Sequence, residues 1–327
     1  MAYDACVVCG GADLSLDCRI SLRGRIDADV TRCAACGVLF VNPVLSPEQI
    51  AFIYDAGYWD PDPPGRGVLE AYRRYPRHYR FGAAYGQWLS RLAPTGRMLE
   101  IGCGLPFFLK GVADHCAWEV EAVDVAQGIA QFAREKLGLK VTEAMFQSGL
   151  FPNESFDLVR AKDVIEHVPQ PMQFLRDIHQ VLKPGGRVEL WLPNGPLDLA
   201  EARKAHRRGG RAVMGAGHVL FISPRVLERM LRASGFRIES HGISGFRYAV
   251  KARGLLRSRA PAEDGASAAP GAAPCLLAWQ QPPLERGIKG TRLYAACRWW
   301  RSHHPALPSW LPWGFRQRVV GRKTFLR

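Results

Sequence analysis

Apolar residues gather in short runs at 98–101, 120–123, 156–159 and 187–192, each the length of a buried strand. Between these runs, 107–115, 129–137 and 172–182 read as helices. Strand alternating with helix predicts a mostly parallel sheet with helices on both faces. Lys183-Pro184-Gly185-Gly186 ends the third helix with basic charge and makes a glycine turn into the next strand. Upstream, 14–20, 26–31 and 38–41 pattern as strands, the last stopped by Asn42-Pro43. Ser46 followed by Pro47 reads as an N-cap with proline in the first helical turn. After a loop-like stretch at 57–67, the aromatic-rich segment 69–92 predicts a helix broken at Pro76. Its Tyr72, Tyr75, Tyr79, Tyr85 and Trp88 suit core packing or a cover over a cofactor. Further on, the basic segment 198–217, glycine-rich at its end, predicts a lid or a flexible surface insertion. Ser223 is placed to cap a helix reaching 233, and 258–274, rich in Ala, Pro, Gly and Ser, reads as a linker.

With 327 residues, 47% of them hydrophobic, the chain has room for one large domain and a smaller one. No apolar run approaches the roughly 18 residues of a membrane-spanning helix. The first residues lack the basic patch and apolar stretch of a signal peptide, so a cytoplasmic location is expected. In that reducing compartment cysteines serve metals or chemistry more often than disulfides. Net charge is +14. The basic excess concentrates in 284–327, where Glu285 is the one acidic residue. Five of the nine tryptophans (Trp279, Trp299, Trp300, Trp310 and Trp313) lie in the same tail. Tryptophan interleaved with arginine suits an anionic membrane surface, or helical packing against the main domain.

Two cysteine pairs, Cys6 with Cys9 and Cys33 with Cys36, open the sequence, each followed directly by glycine. CxxC spacing lets two thiolates on one tight turn reach a single tetrahedral ion. The segment is too small to bury much core, so zinc is the expected staple, with Cys18 a weaker candidate ligand.

The run Met98-Leu99-Glu100-Ile101-Gly102-Cys103-Gly104 carries the chemistry. It is a strand ending at an acidic residue and entering a glycine turn, where a nucleotide-like ligand can approach bare backbone. A dinucleotide fingerprint wants a third glycine where Phe107 stands, and no Gly-Lys-Ser/Thr follows for a P-loop. The run instead resembles motif I of class I S-adenosylmethionine-dependent methyltransferases. Asp124 matches the family's ribose-binding acid. Phe156-Asp157-Leu158-Val159 with Asp163-Val164-Ile165-Glu166-His167-Val168 resembles its fourth strand and following turn, and Leu182 to Gly186 the turn before its fifth strand. The N-terminal cysteines with Phe40-Val41-Asn42-Pro43 resemble the zinc-ribbon subgroup acting on sugars and other small metabolites. Leu105-Pro106 departs from the family's usual Thr/Ser-Gly.

The resemblance implies an α/β fold: a Rossmann-like seven-stranded sheet with helices on both faces, plus a small N-terminal zinc ribbon. It implies S-adenosylmethionine as cofactor, held by Glu100, Gly102, Cys103, Gly104, Asp124, Val125 and Asp163, and Zn2+ on Cys6, Cys9, Cys33 and Cys36. His167 and His218 are the expected bases, with Glu166 and Tyr58 as weaker alternatives. The expected organisation is a ribbon at 1–45, a helical linker covering the cofactor site at 46–95 and a cofactor-binding domain at 96–257. A flexible linker at 258–274 and a basic extension at 275–327 complete it. The expected reaction is methylation of an oxygen or carbon of a small metabolite or glycan, with peripheral membrane contact through the tail. RNA is the alternative acceptor. It is disfavoured because Arg160-Ala161-Lys162-Asp163 lacks the Asn/Asp-Pro-Pro-Tyr/Phe run of amino-group base methylation. A non-catalytic zinc-containing module is the remaining reading, motivated by Pro106.

Overall fold

The computed structural model describes residues 3–43, 45–46, 48–50, 66–126, 128–214, 217–244, 307–308 and 316–324. Three strands come first: β1 (Leu14–Leu22), β2 (Ile26–Cys33) and β3 (Leu39–Val41). A long helix, α1 (Arg66–Leu92), leads into β4 (Arg97–Ile101), α2 (Phe107–Ala113), β5 (Glu119–Asp124), α3 (Ile129–Phe132) and β6 (Lys140–Glu143). Then come β7 (Phe156–Lys162), α4 (Pro171–Val181), β8 (Leu182–Pro193), α5 (Gly195–Asp198) and α6 (Ala200–Arg207). Two short strands, β9 (Ala212–Met214) and β10 (Leu220–Phe221), precede α7 (Pro224–Ala233) and β11 (Phe236–Ser244). The described chain closes with β12 (Leu307–Pro308) and β13 (Arg316–Lys323).

The main sheet runs β12-β11-β13-β8-β7-β4-β5-β6. Apart from the two-residue edge strand β12, it is the expected seven-stranded sheet. Strands β6, β5, β4, β7 and β8 are parallel, whereas β13 lies antiparallel between β8 and β11. That placement corrects the boundary drawn at 275. Residues 316–323 are not an extension outside the domain but an interior strand of its sheet. The segment hides this because its buried face is Gln317, Val319, Gly321 and Lys323, which is not an apolar alternation. Its polar members find partners inside. Gln317 donates to the carbonyls of Pro193 and Ile222, and Lys323 donates to the carbonyl of Leu182. Of the tail tryptophans and the 258–274 linker, nothing falls within the described residues.

Helix α1 continues through Pro76 rather than breaking there. What holds it is the packing on α2. A Cβ on Gly82 would come 1.9 Å from the Phe108 carbonyl oxygen, and one on Gly111 would come 2.1 Å from that of Tyr79. The two backbones thus touch at paired glycines. Tyr75 and Tyr85 are fully buried, with rings 5.3 Å from those of Phe107 and Phe108 respectively, so these aromatics are core.

A second sheet has the order β10-β3-β2-β1-β9. Its three inner strands are the N-terminal ones; its edges come from beyond residue 210. β9 runs parallel to β1, and β10 antiparallel to β3. The basic segment expected as a lid or flexible insertion is therefore regular structure joined to the N-terminal strands. From this segment Arg203 joins Arg32 on Asp17 and Arg211 binds Asp27, so two of its arginines face acids of the N-terminal strands. Cys6, Cys33, Cys36, Val38 and Phe40 share one buried cluster with Leu99, Leu190 and Ile222 of the main sheet side.

Candidate active site

The turn after β4 is built for close approach. Gly102 has φ +69° and Gly104 φ +52°, a region open to glycine and costly for side chains. A Cβ at Gly102 would also lie 2.5 Å from Val164 Cγ2, so the turn abuts the loop after β7. Asp124, at the end of β5, organises the turn. Its Oδ2 accepts from the Gly104 amide at 2.7 Å and its Oδ1 from the Ala126 amide at 2.9 Å. The Val125 amide also bonds the carboxylate, whose four lone-pair sites still leave room for a ligand. Burial raises the Asp124 carboxyl, against the pull of those amides. Next to it Val125 is exposed. Leu105, by contrast, is buried in a cluster with Tyr75, Phe107, Ile129 and Phe132. The side chain that replaces the usual Ser or Thr position thus belongs to the core.

Glu100 is buried beneath the turn. Its Oε1 accepts from Arg160 on β7, while its Oε2 is buried with no hydrogen-bond partner. Burial raises its pKa and the Arg160 charge opposes the rise. Cys103 is likewise raised well above the ordinary thiol value by burial and by the charges of Asp124 and Glu100, so it stays a thiol. Asp163, just past β7, has φ +58° and donates its amide to the Trp191 carbonyl at 2.7 Å. Its carboxylate engages Lys162 and Arg316, the latter from β13. Burial would raise it, but those two cations prevail and hold it low.

Two residues further on the chain makes a short 3-10 turn, Ile165–His167, and a cluster forms around it. The rings of His167 and His218 lie 4.9 Å apart at 70°. His218 Nδ1 is 2.6 Å from Asp198 Oδ2 at the end of α5. His167 Nδ1 is 3.3 Å from the Gly217 carbonyl oxygen, which requires the proton on that nitrogen. The Glu166 carboxyl is buried, and neither of its oxygens has a hydrogen-bond partner. Ligating atoms of Glu166, His167 and His218 all lie within 4.8 Å of one another. The environments split the groups. Burial, with the Asp163 charge, pushes Glu166 up to about 8. Burial and the neighbouring His218 pull His167 down to about 3. Burial also acts against the His218 cation, but the Asp198 hydrogen bond and charge outweigh it, so His218 is raised.

In the N-terminal segment, the four sulfurs of Cys6, Cys9, Cys33 and Cys36 lie within 4.8 Å of one another, the Cys6–Cys36 and Cys9–Cys33 pairs at 3.6 Å. Thiolates about 2.3 Å from one tetrahedral zinc stand roughly 3.8 Å apart, so the geometry fits such an ion. Gly10 and Gly37 donate to the carbonyls of Cys6 and Cys33 and close the two turns. Cys18 is buried in a different cluster, with Ile20 and Val30, and is no part of the site.

Residues 76–241 match the sequence model of the family described as Methyltransferase domain. The chain belongs to that family. It is a class I S-adenosylmethionine-dependent methyltransferase. A ubiquinone biosynthesis O-methyltransferase of Xanthomonas axonopodis pv. citri is 27% identical over 210 residues, covering 58% of this chain and 79% of that protein. The protein of the same name from Ruegeria pomeroyi is 37% identical over 99 residues, 28% of this chain and 38% of its own length. Among solved structures, phosphoethanolamine N-methyltransferase 2 of Haemonchus contortus, in complex with S-adenosyl-L-methionine, has a TM-score of 0.47 at 18% identity, covering 88% of this chain and 62% of that one.

In this methyltransferase Glu100, Gly102, Cys103, Gly104, Asp124 and Val125 gather where β4 and β5 end, the crevice that parallel α/β sheets offer to ligands. The two histidines meet from sequence positions 51 apart. Sequence reasoning did not reach Asp198, which no motif marks, nor Arg316, which the tail concealed. Tyr58 lies outside the described residues.

Proposed function

We propose that this methyltransferase methylates a hydroxyl oxygen of a small metabolite, with His218 as general base and Asp198 as the residue that positions it. The observation that carries the reading is the Asp198–His218 contact at 2.6 Å beside His167, which lies three residues after the Val164 that abuts the glycine turn. Two of the sequence relatives are named O-methyltransferases, which supports oxygen over carbon.

The residues around the turn fit the cofactor. The bare backbone of Gly102 to Gly104 leaves room for it, the free lone pairs of Asp124 suit ribose hydroxyls, exposed Val125 suits a flat base, and the orphaned Glu100 Oε2 suits an ammonium group. When bound, the cofactor supplies an electrophilic methyl carbon on a positive sulfur. The chain's own residues handle the proton. Asp198 fixes the Nδ1–H tautomer of His218, leaving Nε2 to accept the hydroxyl proton as the O–H bond breaks and the O–CH3 bond forms. The Asp198 carboxylate then stabilises the imidazolium. His167, held neutral, accepts a hydrogen bond through its own Nε2, and protonated Glu166 donates one at neutral pH. We further propose zinc as the ion of the four cysteines, its role structural because all four positions are filled by protein.

The test is His218→Ala. General-base loss is expected to lower kcat by about 100-fold or more, while calorimetric affinity for S-adenosylhomocysteine stays unchanged. Retained kcat would overturn the assignment of the base.

A further inference from the structure

A cleft with about 450 Å³ of open space lies between the N-terminal sheet and the turn after β7. Its walls are Phe40, Val41 and Leu45 on one side and Val168, Pro169 and Val219 on the other, with His167 among them. Its polarity does not suit a charged guest. Among the described residues that line it there is no Asp, Glu, Lys or Arg, and the Tyr3 hydroxyl points to the Pro169 carbonyl at 3.5 Å. His167 itself is neutral. A phosphate or carboxylate placed here would lose its water with no charged side chain among the described lining residues to receive it, whereas apolar surface would gain by leaving water.

We propose that this cleft is the acceptor subsite and that it takes an uncharged, largely apolar alcohol or phenol, its ring or alkyl part against Phe40, Val41 and Val168 and its hydroxyl towards the His167–His218 pair. The inference rests on the O-methyltransferase reading above for the role of the hydroxyl, but the binding surface stands on its own geometry. It assigns a function to the N-terminal sheet. The strands tied together by the cysteine cluster form one wall of the acceptor site, and β10, whose pairing with β3 closes that wall, directly follows His218 and Val219. The proposed base thus lies just before the strand that closes the cleft wall.

The test uses the full chain and the uncharged fluorescent probe N-phenyl-1-naphthylamine, displaced by 4-heptylphenol, by octanoate and by glucose 1-phosphate. The phenol is expected to displace the probe at least tenfold better than octanoate, and glucose 1-phosphate not at all. Val168→Phe, which fills the cleft, and Ile50→Asp, which charges its rim, are each expected to weaken probe binding at least tenfold. Affinity for S-adenosylhomocysteine, measured by calorimetry, should be the same in both variants as in the native chain, which also shows that they fold. Probe binding unaltered in the two folded variants, or displacement by glucose 1-phosphate as strong as by the phenol, would overturn the proposal. Loss of the methyltransferase reading would appear separately, as absence of cofactor binding while the probe arm still reports on the cleft.

Discussion

Three titratable side chains within a few ångströms of each other are driven in different directions by what surrounds them. Glu166 is kept protonated by burial, His167 is kept neutral, and His218 is drawn towards its cation by Asp198. A base works only in its unprotonated form, so activity should rise with pH through the His218 pKa, which lies above the ordinary histidine value. Asp198→Asn removes the charge and hydrogen bond that raise it. The acid limb of the kcat profile should therefore move to lower pH, and kcat should fall by at least about tenfold because the tautomer is no longer fixed. A purely structural Asp198 would change stability without moving that limb. His167 and His218 stood out in the sequence as rare residues in suggestive places. Asp198 did not, because an aspartate in a basic, glycine-rich stretch gains its meaning only when α5 brings it to His218.

At the scale of elements, strand and helix alternation made β4, β5, β7 and β8 legible, since each carries an apolar run, whereas β6, the polar edge strand Lys140–Glu143, has none and escaped. The glycine turn and the acidic strand end at Asp124 were plain in the residues, and their role came from the family resemblance. β13 escaped as well. Arg316, Arg318 and Arg322 read as a basic tail, yet each has an acid waiting: Asp163, Glu189 and Glu239. The buried contacts run on from Arg318 through Glu189 to Tyr85 on α1, and Glu189 also faces Arg160, which holds Glu100 under the cofactor turn. The C-terminal strand thus supports the site from behind. Arg318→Ala leaves the fully buried Glu189 with less compensation, and a loss of about 1–3 kcal/mol in urea unfolding is expected. A change under about 0.5 kcal/mol, the size of an ordinary surface substitution, would mean that the network is not needed. For the same reason a chain ended at 257 loses an interior strand and is no clean probe of the tail's contact with membranes.

Over the whole molecule the two sheets are one structure, joined by β9, β10 and a shared core. The CxxC pairs were plain in the sequence. That the strands between them complete their sheet with residues from beyond 210 was not, because strand pairing across nearly 200 residues leaves no local pattern. The cysteine cluster should therefore matter beyond its own turns. Elemental analysis of untagged protein is expected to give about one zinc per chain, and Cys36→Ser to lower Tm by several degrees. Zinc-free protein of unchanged Tm would remove the ion from the account. Among the described residues no helix is long and apolar enough to cross a membrane. The central claim, that the β4 turn with Asp124 holds S-adenosylmethionine, is tested most directly by calorimetric titration of that cofactor into the full native chain and into Asp124→Ala. The expected result is one site per chain, weakened at least tenfold by the substitution through loss of charge-assisted contacts. No heat with the native chain at millimolar cofactor, or equal affinity in the two proteins, would contradict it.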